Sequence, residues 1–253
     1  MNLKTVDIIL PNFNKAKYLD ECINSILNQS YKAWKLYVID DNSKDNSQNI
    51  LKKFEKFENI NIYKLQKNMG PSFCRNLGIR ISSSDYIAFM DSDDLWKKNK
   101  LEGQINFMKQ NNYFFTFTDY TPFFQNNNNK NFMKPTNISK SFDLNKFSLN
   151  SSINTTTMII SRKILNNLKF KKISKLEDYL FKCEILKLGY KAYKFDSNSA
   201  YYRILDKSRS SQKIKNLIYL WTINKKYLKY SIWKNMLSLI MISINSLKKY
   251  GFK

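Results

Sequence analysis

The sequence contains no histidine. That absence excludes Ser-His and Cys-His nucleophilic catalysis, histidine-ligated zinc and imidazole acid–base chemistry together. Any proton transfer falls to a carboxylate, Lys, Tyr or Cys. Cysteine is scarce: Cys22, Cys74 and Cys183 are odd in number, far apart and without a CxxC pair. They read as free thiols, packed as small apolar residues in a reducing compartment. Only 5 Gly and 4 Pro occur in 253 residues, which argues against collagenous or linker-rich architecture. No run reaches the roughly 18 continuous apolar residues that would span a bilayer. The best candidate, Met236 to Leu247, is interrupted by Ser238, Ser243, Asn245 and Ser246. The N-terminal MNLKTVDIILPNFN enters a strand pattern and is not a signal peptide. The expected address is the cytoplasm, free or peripheral at the inner face of the plasma membrane.

Acid is short too: 20 Asp and Glu stand against 43 Lys and Arg, a net charge of +23. Such a field favours anionic partners. A bias to Lys and Asn can equally reflect the base composition of a genome, so the placement of charge carries more than its amount. Residues 207–253 hold no acid and 11 Lys and Arg. Their apolar residues fall at helical intervals: Leu217, Leu220, Trp221 and Leu228, then Trp233, Leu237, Ile240, Ile244 and Leu247. This is the pattern of a basic amphipathic helical tail. Such a tail either docks on an anionic membrane surface or packs on the preceding domain and buries Trp221 and Trp233.

What is present is a bulky core, with 43% hydrophobic residues, 18 Phe and 16 Tyr. The first 120 residues alternate strand and helix signals. Strands are expected at 6–10, 36–39, 60–65, 86–90 and 114–120, and helices at 18–27, 46–57, 71–81 and 98–110. That alternation implies an α/β fold: a Rossmann-like, mostly parallel sheet flanked by helices. A polar, Asn-rich stretch from Gln125 to Ser141 reads as a mobile loop. Strand signals return at 156–160 and 201–204, around a helix at 177–188. The domain is therefore drawn as 1–206, divided into a nucleotide-binding half (1–120) and an acceptor-side half (121–206), followed by the tail.

Two acidic clusters follow strands: Asp40-Asp41-Asn42-Ser43 and Asp91-Ser92-Asp93-Asp94. Ligands of such sheets bind outside the carboxyl ends of strands. Carboxylates two residues apart suit a hard divalent cation that keeps its other positions for water and phosphate oxygens. Each cluster taken alone is also ordinary turn and capping chemistry.

Four stretches occur in order: ILPNFNKAKYLDECINSILNQSY, VIDDNSKDNS, NMGPSFCRNLGI and YIAFMDSDDLW. Together they resemble the family-two inverting glycosyltransferases of the GT-A fold, of the bacterial cell-surface polysaccharide type. The resemblance is strong over residues 5–120 and continues weakly through SKLEDYLFKCEILKLGY and YYRILDKSRSS. It implies transfer of a sugar from a nucleotide diphosphate donor to a hydroxyl of a glycan or lipid-linked glycan, with Mn²⁺ or Mg²⁺ as cofactor. It places Pro11, Asn12 and Phe13 near the base, Asp41 on the nucleoside, and Gly70 and Arg75 beside the nucleotide. Asp91 and Asp93 match the DxD motif, with Asp93 as the direct metal ligand. Asp178 matches the catalytic base, and Arg203 and Ser210 a late loop near the donor phosphates. Asn42 stands where Gly is frequent, and Asn tolerates the same left-handed backbone. Glu177-Asp178 is otherwise readable as helix N-terminal charge compensation. Two other readings stand beside this one. A sugar nucleotidyltransferase would usually carry a Gly-rich loop after the first strand, which PNFNKAKY lacks. A nucleic-acid binder leaves acids at strand ends unexplained, so no nucleic-acid partner is expected.

Overall fold

The computed structural model describes residues 4–126, 129–165, 167–205 and 213–250. Buried apolar runs build the first half. β1 (Val6–Asn12), β2 (Trp34–Asp40), β3 (Ile60–Lys64) and β4 (Tyr86–Phe89) pair in the order β3-β2-β1-β4, all parallel. Ile8, Ile9, Leu10, Leu36, Val38, Ile87 and Phe89 are fully buried, because helices cover both faces. The crossovers are α1 (Ala16–Leu27), α2 (Ser47–Lys52) and α3 (Pro71–Ile81). Gly78 of α3 lets that helix lie against β1: a Cβ there would stand 2.5 Å from the Ile9 side chain.

Beyond β4 the sheet is mixed. β5 (Leu95–Trp96) and α4 (Lys100–Asn111) lead into β6 (Phe115–Asn126). β7 (Asn129–Phe132) folds back on β6, and β8 (Ser141–Phe142) and α5 (Leu144–Ser148) follow. β9 (Ile159–Ser161) lies between β4 and β6, antiparallel to both. After α6 (Glu177–Lys187), β10 (Ala192–Arg203) runs parallel to β6 and antiparallel to β5 and β8. The sheet is parallel through its first half and mixed through its second, an α/β architecture flanked by helices.

Three expectations need correction. The Asn-rich segment does not begin as a loop: β6 runs to Asn126 and β7 pairs Phe132 with Phe123. Aromatic contact among Phe123, Phe132 and Tyr201 holds this hairpin. The short strand at 201–204 is the end of a 12-residue strand. The second helix stops at Lys52, five residues before the expected end at Phe57, and the chain turns before β3.

α7 (Lys213–Lys226) and α8 (Ile232–Tyr250) form the expected helical extension. A buried polar network seats them. The Tyr179 hydroxyl donates to Asn224 Oδ1 at 3.0 Å, and Asn224 Nδ2 donates to Asn235 Oδ1 at 3.1 Å and Ser238 Oγ at 3.0 Å. Ser238 Oγ in turn donates to the Ser148 carbonyl at 2.6 Å. Asn224, Asn235 and Ser238 are essentially inaccessible, so each unmade bond would leave a desolvated polar group. The opposite face of α8 is bare: Trp233 is 79% exposed, and Leu237, Ile240 and Ile244 are exposed along the same stripe.

Candidate active site

The site lies where β1, β2 and β4 end, at the edge sequence reasoning anticipated. The loop after β2 is held by neutral donors. Asp40 accepts from Asn12 Nδ2 at 2.7 Å, from Ser43 Oγ at 2.6 Å and from Gln48 Nε2 at 2.5 Å. Asp41, 3% exposed, accepts from the backbone N–H of Met69 at 2.6 Å and Gly70 at 2.8 Å. It thereby ties the β2 loop to the start of α3. Gly70 stands at φ 85°, a left-handed conformation that favours glycine, and Pro71 opens the helix. Asn42 adopts φ 60°, the left-handed geometry expected of it. Asn12 is buried with its Oδ1 unsatisfied, Pro11 is half-buried, and Phe13 is 43% exposed at the rim.

The loop after β4 is held by cations. Asp91 Oδ1 lies 2.8 Å from Arg75 Nη2, and Asp93 Oδ2 lies 2.6 Å from Lys15 Nζ. Asp94 is fully buried: Thr156 Oγ1 donates to it at 2.6 Å and the Arg203 N–H at 2.9 Å. Burial, with Asp93 and Asp91 close by, pushes the Asp94 carboxyl well above the ordinary carboxylate range. Asp94 is therefore a structural strut, and Asp91 and Asp93 are the carboxylates that face outward.

Arg75 joins this loop to α6. Its Nη1 lies 3.3 Å from Glu177 Oε1 and its guanidinium stacks 5.4 Å from the Phe170 ring. Burial works against its charge, yet Asp91 and Glu177 raise its pKa above the usual arginine value. Leu176, at φ 60°, turns the chain so that Glu177 and Asp178 open α6, where the helix dipole favours negative charge. The two point apart. Glu177 turns inward to Arg75 and is 5% exposed, whereas the Asp178 side chain is 34% exposed. Thr155 Oγ1 donates to Asp178 Oδ2 at 2.9 Å and Lys182 Nζ at 2.8 Å. Burial tends to raise the Asp178 carboxyl, but Lys182, Arg75 and Thr155 outweigh it and hold it well below the ordinary range.

Arg203 is 2% exposed and faces inward. Its Nε donates to the Asp93 carbonyl at 2.7 Å, its Nη2 lies 3.0 Å from Glu21, and its Nη1 bonds Gln125. Flanked by Tyr18 and Phe123, each 4.5 Å away, it clamps the DSD loop to α1 and β6. Ser210 lies outside the described residues. Sequence reasoning missed Lys15, Glu21, Thr155, Thr156 and Lys182. Of these only Lys182 carried a signal, its i+4 spacing from Asp178.

Asp91 and Asp93 supply hard carboxylate oxygens from one loop. Among the described residues no group of three or more acidic or Cys side chains converges on a single point. This donor set fits a divalent cation that completes its shell with phosphate oxygens and water.

The profile of glycosyl transferase family 2 matches residues 7–169. The chain belongs to that family. A putative teichuronic acid biosynthesis glycosyltransferase, TuaG of Bacillus subtilis, is 30% identical over 96% of each chain. The Escherichia coli UDP-Glc:alpha-D-GlcNAc-diphosphoundecaprenol beta-1,3-glucosyltransferase WfgD is 32% identical over 98% of this chain and 95% of its own. The Staphylococcus aureus TarS 1–349 structure with UDP-GlcNAc superposes with a TM-score of 0.72 at 18% identity, covering 96% of this chain and 73% of that one. The glycosyltransferase fold is thus shared, and the family decides for sugar transfer over the sugar nucleotidyltransferase reading.

Proposed function

We propose that this glycosyltransferase transfers a sugar, with inversion, from a UDP-sugar to a hydroxyl of a lipid-linked glycan at an anionic membrane face. The observation that carries the reading is the Arg75 bridge: one buried guanidinium joins Asp91 of the DxD loop to α6, which presents Asp178. The donor's diphosphate end and the acceptor's hydroxyl would thereby meet on either side of this bridge. Asp91 and Asp93 would hold Mn²⁺ or Mg²⁺, and the bound cation supplies charge neutralisation for the leaving nucleoside diphosphate.

Asp178 acts as the base. It takes the acceptor hydroxyl's proton as that oxygen bonds to the anomeric carbon, and the C–O bond to the diphosphate breaks with its electron pair leaving on phosphate. A low pKa keeps Asp178 deprotonated and ready at neutral pH. Pro11, Asn12, Phe13 and Asp41 line the base end, with Gly70 and Arg75 beside the nucleotide. Arg203 supports the phosphate end by fixing the Asp93 backbone. The donor and acceptor named for WfgD and the UDP-GlcNAc bound to TarS support the choice of UDP and of a lipid-linked acceptor.

Among the described residues no helix is long and apolar enough to cross a membrane. The membrane reading rests instead on the bare α8 stripe and the acid-free sequence 207–253. A thermal-shift screen with Mn²⁺ and UDP-, GDP-, dTDP- and CMP-sugars tests the donor. Stabilisation of roughly 2.7 kcal/mol is expected from a UDP-sugar at about 100 times its Kd. Equal stabilisation by every donor without metal refutes the assignment.

A further inference from the structure

Between α8 and the segment that follows β7 lies a cavity of about 250 Å³ that the transfer reaction does not use. Its lining includes Lys134, Lys248 and Lys249 with the polar side chains of Asn137, Ser139 and Ser152, and no carboxylate. Among the described residues, none of the three lysines has an ion-pair partner. Lys249 reaches inward from the protein-facing side of α8, and its ammonium donates to Ser152. Burial pulls its pKa down to about 8 against the pull of Asp119, whose carboxylate accepts from Thr136 and Ile138 of the lining. Three cations with hydroxyl and amide donors around one small cavity match a phosphate group, whose oxygens accept charge-assisted hydrogen bonds.

The position of the cavity narrows the ligand. Ile244, the last exposed residue of the bare stripe, lies four residues before Lys248, hence one helical turn away on nearly the same face. The cavity mouth therefore sits at the end of an apolar surface. We propose that this cavity binds the phosphate headgroup of an anionic membrane phospholipid whose acyl chains continue along the α8 stripe. The site would fix the enzyme's orientation on the membrane, where diffuse surface charge alone would leave it free to rotate. The orientation role rests on the membrane reading above; occupancy of the cavity does not.

Isothermal titration of the full chain with dihexanoyl phosphatidic acid, soluble below its micelle concentration, tests the site without a membrane. Binding is expected, with dihexanoyl phosphatidylcholine and inorganic phosphate at least ~10-fold weaker, a loss of about 1.4 kcal/mol. Lys248→Gln with Lys249→Gln should lose that binding, and Ser152→Ala should weaken it, with circular dichroism unchanged. Wild-type affinity in the double lysine variant overturns the site, and inorganic phosphate binding as tightly as the lipid overturns the lipid assignment. Should the double variant misfold, Ser152→Ala and Lys134→Gln decide by the same measure. Flotation with phosphatidic acid vesicles separates the membrane reading: Trp233→Ser with Ile240→Ser should bind the short-chain lipid normally and float poorly. If that variant floats like the wild type, membrane docking by α8 fails while the cavity stands.

Discussion

The two acidic loops at the sheet edge are built on opposite principles. After β2, Asp40 and Asp41 are satisfied by neutral donors: the side chains of Asn12, Ser43 and Gln48 and the N–H groups of Met69 and Gly70. After β4, Asp91 and Asp93 are answered by the cations Arg75 and Lys15. The N–H groups of Met69 and Gly70 belong to the backbone and stay with the carboxylate, and the side-chain donors bring no charge of their own. A cation on a side chain can be exchanged for another cation. In the proposed function the first loop would shape the nucleoside pocket and the second would meet metal and diphosphate.

Arg75 is where the second arrangement is most exposed to mutation. It is 6% exposed and sits between two acids. Arg75→Met should cost about 3 kcal/mol or more, because carboxylates are left in a desolvated site without their cation. Chemical denaturation measures this, and a loss below 1 kcal/mol would show that the bridge is dispensable. Asp178→Asn comes next. It should cut turnover at least ~100-fold while leaving donor affinity nearly unchanged. Because the Asp178 pKa is depressed in the folded chain, the acid limb of wild-type turnover should lie below pH ~4, the ordinary Asp range. Glu177→Gln should act on stability rather than on turnover, since Glu177 faces Arg75. The reverse ranking of the two variants moves the base to Glu177.

Asp41→Ala and Asp93→Ala set the two loops against each other. Removing Asp41 strands two N–H groups in a nearly closed site and should lower stability by ~2 kcal/mol without any ligand. Removing Asp93 loses one partly exposed pair with Lys15 and should cost less than about 1 kcal/mol, yet abolish Mn²⁺-dependent donor binding. Paired urea titrations and Mn²⁺ titrations with donor read both. Equal stability losses would erase the distinction between the loops.

How far this was legible from sequence follows the same division. In the parallel half β1, β2 and β4 are buried apolar runs, β2 and β4 closed by acids, so β1 to β4 and α3 appear at nearly their true limits. β10 was seen only at its end because its middle is polar. Lys194 pairs with Asp119 at 2.9 Å, Asn198 with Thr121 at 2.7 Å and Ser199 with Thr118 at 2.7 Å. Cross-strand polar pairs hold the strand without any apolar alternation to reveal it. Of the strand expected at 156–160, Thr155–Thr157 form a 3-10 turn and only Ile159–Ser161 is strand, too short for its antiparallel insertion to be read from periodicity. The DxD loop was legible as a motif, but its partners were not, because Lys15 and Thr156 are distant in sequence and ordinary in type. Of the two fates foreseen for the tail, packing on the domain holds for Asn235 and Ser238 of α8 but not for Trp233, which it was expected to bury and which stays bare on the other face.

Lys100 inverts the rule of the acidic loops, a cation answered only by neutral partners. It is 1% exposed, its ammonium donates to Gln104 Oε1 at 2.9 Å, and it lies 4.4 Å from the Trp96 ring. Burial lowers its pKa to about 7 from 10.5. The sign follows from proton counts. Below pH 7 both folded and unfolded chains carry the proton, and the folded state bears the full cost of a buried charge. Between pH 7 and 10.5 the folded chain has released that proton and the unfolded chain has kept it. The unfolded state then binds more protons, so stability rises with pH through this window. The slope from this one group approaches about 1.4 kcal/mol per pH unit. Lys100→Met keeps the volume and the stacking on Trp96, removes the charge, and should flatten the rise while stabilising the chain most at pH 6. Urea midpoints at pH 6, 8 and 9.5 for both chains decide it. If the difference between them does not shrink as pH rises, Lys100 keeps its proton in the fold, and neutral partners suffice to hold a buried charge in this protein.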